Sequence, residues 1–377
     1  MIGTDRSIAN KRVWIVAFVV AVAAGVFWSG SRYPSLDEKA AMGGSTQLED
    51  PLSFEASLQI QPSSSAVERV AYTTVNWIET NLEGMAFGLI VGACLLTLLS
   101  MVAVRGHRNG FINTLLGVLV GTPLGVCVNC SAPVAKGMHD GGARLETTLA
   151  TMFSSPTLNV IVLTMLFSIF PLYLTVIKLS LTLLFILVIV PLLSRYAFAN
   201  ERVDTYDDAV CALPPQTRPP SESWLEAMRG AAGGVIKNLG YLVLRTVPLM
   251  ILAGLLGAVV VTLVPLPELV DFEPGIGSIL VIALVGIFLP VPVAFDVILV
   301  AVLMAAGAPM MFSMTLLFVL GIFSIYPFFI VWNTISPRVA ITLTAVLMAL
   351  GIAGGVMADR IHEQEIADML QYLEEVE

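Results

Sequence analysis

The chain has 377 residues, of which 57% are hydrophobic and only 12% are charged. Soluble domains carry roughly a quarter charged residues, so this composition excludes a soluble protein and indicates a polytopic membrane protein. The acidic residues behind the net charge of −9 lie mainly in 33–83 and 359–377, and we expect no nucleic-acid partner.

Near its start the chain has an apolar run, 13–28, that follows Lys11 and Arg12. A signal peptide begins in the same way. Trp28 and Arg32 fit poorly with a small-residue cleavage site, so we expect an uncleaved membrane anchor.

Further apolar runs are long enough to cross, or nearly cross, a hydrocarbon core of ~30 Å. With the anchor they number seven: 13–28, 84–104, 148–170, 172–193, 238–264, 310–334 and 339–357. Two more apolar stretches, 111–142 and 277–307, are interrupted by Pro and Gly near their centres.

The distribution of Lys and Arg sets the orientation of these runs. It predicts that the N-terminus, the basic turn 105–108 and the loop 194–237 are cytoplasmic, and that 33–83 is external. An even number of crossings must then separate the turn from the loop. We therefore expect 111–142 to be a re-entrant hairpin, with a Cys pair near its tip, and the same reasoning applies to 277–307.

The predicted fold class is an all-α, polytopic helical membrane protein with two inverted-topology repeats, each with a Pro-broken re-entrant segment. Gly142 precedes Pro156 by the same interval as Gly307 precedes Gly321, which favours a repeat. Such repeats are typical of transporters with a site near the bilayer midplane. The predicted division is an anchor with an external acidic loop (1–83), repeat 1 (84–193), a Pro-rich cytoplasmic linker (194–237), repeat 2 (238–358) and an acidic tail (359–377).

A Cys-x-x-Cys pair, Cys127 and Cys130, stands inside the first interrupted stretch. Thiols at this spacing can bind a soft metal or metalloid, or exchange with a disulfide. Pro133 predicts a break in the helix that carries them, which a membrane tolerates only around a protein-lined cavity. Buried packing is the alternative for both cysteines. Cys94 and Cys211 give no sign of a disulfide framework.

Polar residues elsewhere in apolar runs suggest further functional positions. The segment Ser154-Ser155-Pro156-Thr157-Leu158-Asn159 predicts an unwound turn, with a simple kink as the alternative. Asp296 is the only acidic residue between Gly277 and Met314, and an intramembrane acid indicates a coupling group or a cation ligand. The alternative interpretation is that Asp296 lies near the external surface and has no such role. We expect Lys178 to extend to the membrane interface.

The motif Cys127-Val-Asn129-Cys130-Ser131-Ala-Pro133, with Gly142 and Ser155-Pro156-Thr-Leu-Asn159 after it, resembles a family of predicted permeases that includes the organoarsenical efflux permeases. The resemblance covers about 84–357 and implies a permease. The second half has Pro290, Pro292 and Asp296 in place of a second thiol turn. The predicted substrate-binding residues are Cys127, Asn129, Cys130, Ser131, Pro133, Ser155, Pro156 and Asn159, with Cys127 and Cys130 as metal ligands and Asp296 as the coupling residue.

The function favoured by these patterns is export of a soft metal, metalloid or organometalloid by alternating access. No Gly-x-x-x-x-Gly-Lys-Ser/Thr motif occurs, so we expect no nucleotide hydrolysis, no enzyme activity and no cofactor. The alternatives are a membrane thiol–disulfide relay and a membrane scaffold. We expect a multi-pass protein of the plasma (inner) membrane, with a lipid bilayer and a small-ion or metalloid substrate as partners; homo-oligomerisation stays open.

Overall fold

Helices make up nearly all of the structure, which is a computed structural model. It describes residues 9–34, 50, 52–53, 56–61, 63–101, 109–198, 222–263 and 273–376. Apart from short connections, the other feature is an isolated bridge between Asp50 and Ser53. The all-helical class is therefore confirmed. Cys211 and most of the predicted linker lie outside the described residues.

The first half contains eight helices within the described residues. They are α1 (Ala9–Phe27, continued by a π-helical turn, Trp28–Arg32), α2 (Ala66–Met101), α3 (Gly110–Gly121), α4 (Val128–Asp140), α5 (Leu145–Thr157), α6 (Val160–Ile169), α7 (Leu172–Leu184) and α8 (Val190–Tyr196). A π-helical turn, Phe185–Ile189, joins α7 to α8. Because α2 begins at Ala66, residues 66–83, which the sequence predicts to be external loop, are helical.

The second half has a similar set. It comprises α9 (Trp224–Leu263), α10 (Ile276–Phe288), α11 (Phe295–Ala305), α12 (Met310–Ile322), α13 (Ile325–Thr334) and α14 (Pro337–Val376). Residues 359–376 of the predicted acidic tail are helical and continue α14 rather than forming a separate element. The polar residues after 358 therefore lengthen the last helix instead of ending it.

Five helices in the described part of the chain are long and apolar enough to cross a membrane. Two helix pairs, α5–α6 and α12–α13, are each bent by 45° at a short break, and counting each as one span gives seven. This upper count agrees with the seven apolar runs of the sequence. The helices α3, α10 and α11 are apolar but too short to cross alone.

The same order of elements occurs in both halves. A long helix is followed by two short helices around a break, a glycine turn, a bent pair and another long helix. The helices α5 and α12 both have 13 residues, and α6 and α13 both have 10. Gly142 and Gly307 adopt left-handed φ values of 86° and 91°, and each ends its helix with the same pair of backbone hydrogen bonds.

Glycines bring α2 and α4 into backbone contact. A Cβ at Gly88 would lie 2.2 Å from the Cys130 carbonyl oxygen, and one at Gly92 would lie 2.6 Å from the Pro133 carbonyl oxygen. From the other side, a Cβ at Gly137 would lie 2.3 Å from the Gly92 carbonyl oxygen. Small residues at such contacts let membrane helices approach closely. The helix α4, which carries the thiols, therefore packs directly against α2.

Candidate functional site

The chain breaks just before the thiols, between α3 and α4. A short 3-10 turn, Thr122–Leu124, leads to Gly125, whose φ of 59° is left-handed. A Cβ there would lie 2.6 Å from the Trp28 ring, and the Trp28 indole N–H donates to the Pro123 carbonyl at 3.1 Å. The left-handed residue and this close contact therefore end the first helix.

Pro133 does not break the helix, so that prediction is wrong. Pro133 lies inside α4, which runs without interruption from Val128 to Asp140. A proline removes one backbone N–H and thus one helical hydrogen bond. Here the break has already been made by Gly125, and α4 continues through the proline.

Cys127 and Cys130 occupy the first turn of α4. The Cys127 sulfur caps the helix by accepting the Cys130 N–H at 3.3 Å, and it approaches the Asn81 amide oxygen at 3.5 Å. Both side chains are buried, and both are free thiols. The two thiols are therefore held at the start of one helix.

Asn129, between the two cysteines, connects the halves of the protein. Its amide N–H donates to the Val291 carbonyl at 3.1 Å, and its amide oxygen accepts from the Ser324 hydroxyl at 2.6 Å. Val291 lies in the break between α10 and α11, and Ser324 lies in the bend between α12 and α13. The Trp77 indole of α2 also donates to the Pro290 carbonyl. The interrupted segments of both halves therefore meet beside the thiols.

Ser131 and Ser155 hold the thiol turn against α5. The Ser131 hydroxyl is 2.9 Å from the Val128 carbonyl and 3.0 Å from the Met152 carbonyl. The Ser155 hydroxyl accepts the Val126 N–H at 3.2 Å and lies 3.3 Å from the Val126 carbonyl. Both hydroxyls thus have partners within the protein, and their contact with a substrate stays a prediction.

The predicted unwound turn is the bend between α5 and α6. Asn159 caps α6 by accepting the Val162 N–H at 3.1 Å. Its amide N–H donates to the Ser155 carbonyl at 2.7 Å and the Pro156 carbonyl at 3.1 Å. Asn159 therefore satisfies backbone groups that the bend leaves without helical partners, as expected for a broken helix in a membrane.

A buried ion pair also joins the two halves of the protein. The Lys178 ammonium of α7 lies 2.5 Å from the Asp296 carboxylate of α11, and both side chains are buried. A Cβ at Gly321 would lie 2.5 Å from the same carboxylate oxygen. The prediction that Lys178 extends to the interface is wrong, because its charge is compensated inside the protein by a residue distant in sequence.

The other end of α4 carries a partly buried polar cluster. Lys136 and Asp140 form an ion pair at 2.9 Å, and the Tyr241 hydroxyl donates to Asp140 at 3.1 Å. Lys136 also lies 5.2 Å from the centre of the Tyr241 ring. One helix thus bears the thiols at its start and an ion pair at its end.

Residues 70–359 match a family described as predicted permease (ArsP_1). The chain belongs to this family. The chain is also similar to UPF0718 protein YraQ of Escherichia coli (strain K12), with 28% identity over 252 residues, covering 66% of this chain and 68% of that protein. No solved structure matches the chain. The matched region includes both breaks, the thiol pair and the Lys178–Asp296 pair, and it begins after α1.

In this permease, the described residues place no larger group of His, Cys, Asp or Glu side chains around the thiol pair. Among the described residues, no three His, Cys, Asp or Glu side chains come together as a metal site. Soft ions usually require more sulfur or nitrogen ligands than two thiols.

Two residues beside the thiols were missed from the sequence. Arg32, at the end of the π-helical turn after α1, and Tyr326, in α13, are both buried. From the sequence alone, Arg32 is a basic residue at the end of a membrane anchor, and Tyr326 is one of many aromatic residues. Neither position therefore indicated a site. An arginine at the end of an apolar run was the available signal, since such a residue must find either the interface or a buried partner.

Proposed function

We propose that this permease exports a soft, thiol-reactive species through a site at Cys127 and Cys130 by alternating access. The main support is the position of the thiols, at a helix break where Asn129 bonds to the interrupted segments of the other half. Broken helices that meet inside a membrane protein are the usual place for a transport site.

The substrate class that best suits the site is a trivalent organometalloid. A metalloid with one organic group has two exchangeable hydroxyl groups. Two thiols replace them, forming two metalloid–sulfur bonds and releasing two water molecules. A bare soft metal ion would require further donors, and the described residues provide no cluster of three such side chains.

The two halves are proposed to be inverted repeats, with seven crossings, a cytoplasmic N-terminus and an external C-terminus. The matching order of elements, the paired 45° bends and the paired glycine turns support a repeat. Inverted repeats would place the two breaks face to face, which is where Asn129 makes its contacts.

The orientation can be tested by fusing topology reporters within 194–237 and after Glu377. We expect the linker reporter to be cytoplasmic and the C-terminal reporter to be external, because an odd number of crossings separates them. A reporter in the middle of the loop between α1 and α2 gives the external reference. Finding the linker and the C-terminus on one side would contradict the proposed arrangement.

Asp296 is proposed to couple transport to protons through its ion pair with Lys178. The pair joins α7 to α11, so it links the two halves. A proton on Asp296 would cancel the carboxylate charge and weaken this link, and loss of the proton would restore it. The pair could therefore change the relative stability of two conformations without nucleotide hydrolysis.

The alternative function is a thiol–disulfide relay. Such relays usually pass electrons to a second cysteine pair. Cys94 is buried in a separate cluster with Val16 and Ala231, and the described residues contain no second pair. The permease family also favours transport over an enzymatic relay. We further propose the plasma membrane as the location and leave homo-oligomer formation open.

Accumulation measurements in cells test the proposed function. Cells with the protein should retain several-fold less phenylarsine oxide than cells without it, while their contents of zinc and copper should be unchanged. Arsenic retained per cell, measured by mass spectrometry, gives the readout. Equal arsenic in both strains, at confirmed expression, would exclude export of a monoorgano-arsenical.

A further inference from the structure

A buried guanidinium without a hydrogen-bonding partner at its Nε lies beside the thiols. Arg32 is only 8% exposed, and within the described part of the chain its Nε–H has no hydrogen-bond partner. The guanidinium carbon lies 4.5 Å from the centre of the Phe27 ring, which itself stacks on Phe87 at 4.1 Å. The aromatic pair covers one side of the cation but offers it no hydrogen-bond acceptor. A buried charge of this kind is costly unless an anion accompanies it.

The Cys130 sulfur and an Arg32 guanidinium nitrogen both lie close to Gly84. A Cβ at Gly84 would lie 2.7 Å from the Cys130 sulfur and 3.4 Å from the Arg32 Nη2 atom. Arg32 also interacts electrostatically with Cys127 and with Glu83, but Glu83 is exposed. Among the ion pairs of the described residues, none includes Arg32. The Arg32 guanidinium therefore lies near Cys130 and forms no ion pair with a described carboxylate.

Tyr326 approaches the same thiols from the second half. Its side chain is fully buried, and its hydroxyl has no hydrogen-bond partner in the described structure. The helix α13, which carries Tyr326, packs against α4, and the Tyr326 hydroxyl lies near the Thr246 hydroxyl. The nearby Thr246 hydroxyl donates to the Leu242 carbonyl at 2.8 Å. Within the described residues, Arg32 Nε and the Tyr326 hydroxyl are thus two buried donors without a hydrogen bond of normal geometry.

We propose that Arg32 binds an anionic oxygen group of the substrate while Cys127 and Cys130 hold its thiol-reactive centre. Tyr326 supplies a second hydrogen bond to that group or to its neighbouring atoms. This inference rests on the proposed function and adds a preference for organometalloids that carry an acid group. Arg32 lies before residues 70–359, the region that matches the family.

The charge of the site supports an anionic substrate. Replacing two hydroxyls on the substrate by two thiols releases water and leaves the net charge of the site unchanged. The positive charge of Arg32 is therefore not compensated by binding of a neutral organometalloid. A carboxylate or a similar oxygen anion compensates it, and the planar guanidinium is well suited to such groups.

A matched pair of arsenicals tests the role of Arg32 in the purified full-length protein. Phenylarsine oxide has the reactive centre alone, and 4-carboxyphenylarsine oxide adds a carboxylate. We expect the wild type to bind the carboxylate compound about tenfold or more tightly, since hydrogen bonds to charged groups contribute at least that ratio. Arg32→Gln should remove this preference and keep the affinity for phenylarsine oxide. Arg32→Lys should retain part of the preference for the carboxylate compound. Tyr326→Phe should reduce this preference less than Arg32→Gln does.

The outcomes separate this inference from the proposed function. Equal affinities in the wild type, or an unchanged preference in Arg32→Gln, would overturn the role of Arg32 and leave the thiol site intact. A third result is that Arg32→Gln binds neither compound while its gel-filtration profile and thermal midpoint stay normal. That result would also overturn the proposed role, because Arg32 would then be needed to position the thiols. If the wild type binds neither compound, the proposed function itself, export of an organometalloid through the thiol site, is contradicted.

Discussion

Replacing Cys127 or Cys130 by serine is expected to abolish organometalloid export while the protein still accumulates in the membrane. A hydroxyl does not form the stable bond to a soft centre that a thiolate forms. Losing a metal-orienting neighbour typically costs 10–100-fold in affinity, so loss of a ligand should cost at least about that much. Uptake of phenylarsine oxide into everted membrane vesicles measures the effect.

Cys94→Ser is the matched control for these variants. Cys94 is as buried as the thiol pair but packs in a separate cluster. It should therefore show any general cost of exchanging a buried thiol for a hydroxyl, and it should export normally. Normal export by both Cys127→Ser and Cys130→Ser would make the pair packing residues.

Asp296→Asn is expected to abolish or uncouple transport and to flatten its dependence on pH. The change leaves the Lys178 ammonium buried without its partner, and breaking a buried pair in this way typically costs ~3–5 kcal/mol of stability. Asp296→Glu should retain part of the activity because it keeps the charge. Transport into vesicles across a range of pH values, with thermal unfolding measured in parallel, gives both quantities.

A double variant distinguishes coupling from stability. Lys178→Gln combined with Asp296→Asn removes both charges, so it should recover much of the stability lost in Asp296→Asn. If the pair couples transport to protons, the recovered protein should still lack the pH dependence of the wild type. A wild-type pH profile in the double variant would make the pair structural. Lys136→Gln, at the partly buried ion pair of α4, controls for losing an ion pair elsewhere.

Much of the architecture could be predicted because hydrophobic length and helix breakers act locally. The spans, the two interrupted stretches and the bend at Asn159 all follow from short segments of sequence. The start of α2 at Ala66 could not be predicted, since residues 66–83 are polar enough to look like a loop. The prediction that Pro133 causes the break before the thiols was also wrong. The break occurs at Gly125, and the contact of Gly125 with Trp28 depends on tertiary structure.

The thiol pair could be identified from the sequence, but its surroundings could not. Lys178 and Asp296 lie in different halves, and no periodicity in either segment indicates that they pair. Arg32 lies near the thiols only because α1 packs against α2. Local patterns give residue types and breaks, whereas the pairing of buried charges depends on how distant helices pack. The residues that the sequence missed are of this second kind.

The glycine contacts between α2 and α4 limit how the protein can change shape. At Gly88 the backbone of one helix touches the backbone of the other, so neither helix can rotate about its axis without a collision. Backbone atoms cannot adopt another rotamer to make room, unlike side chains. If the protein alternates between conformations as proposed, we expect the thiols to move together with α2. The hydrogen bonds of Asn129 to Val291 and Ser324 would then be the contacts that change, because each can be exchanged separately.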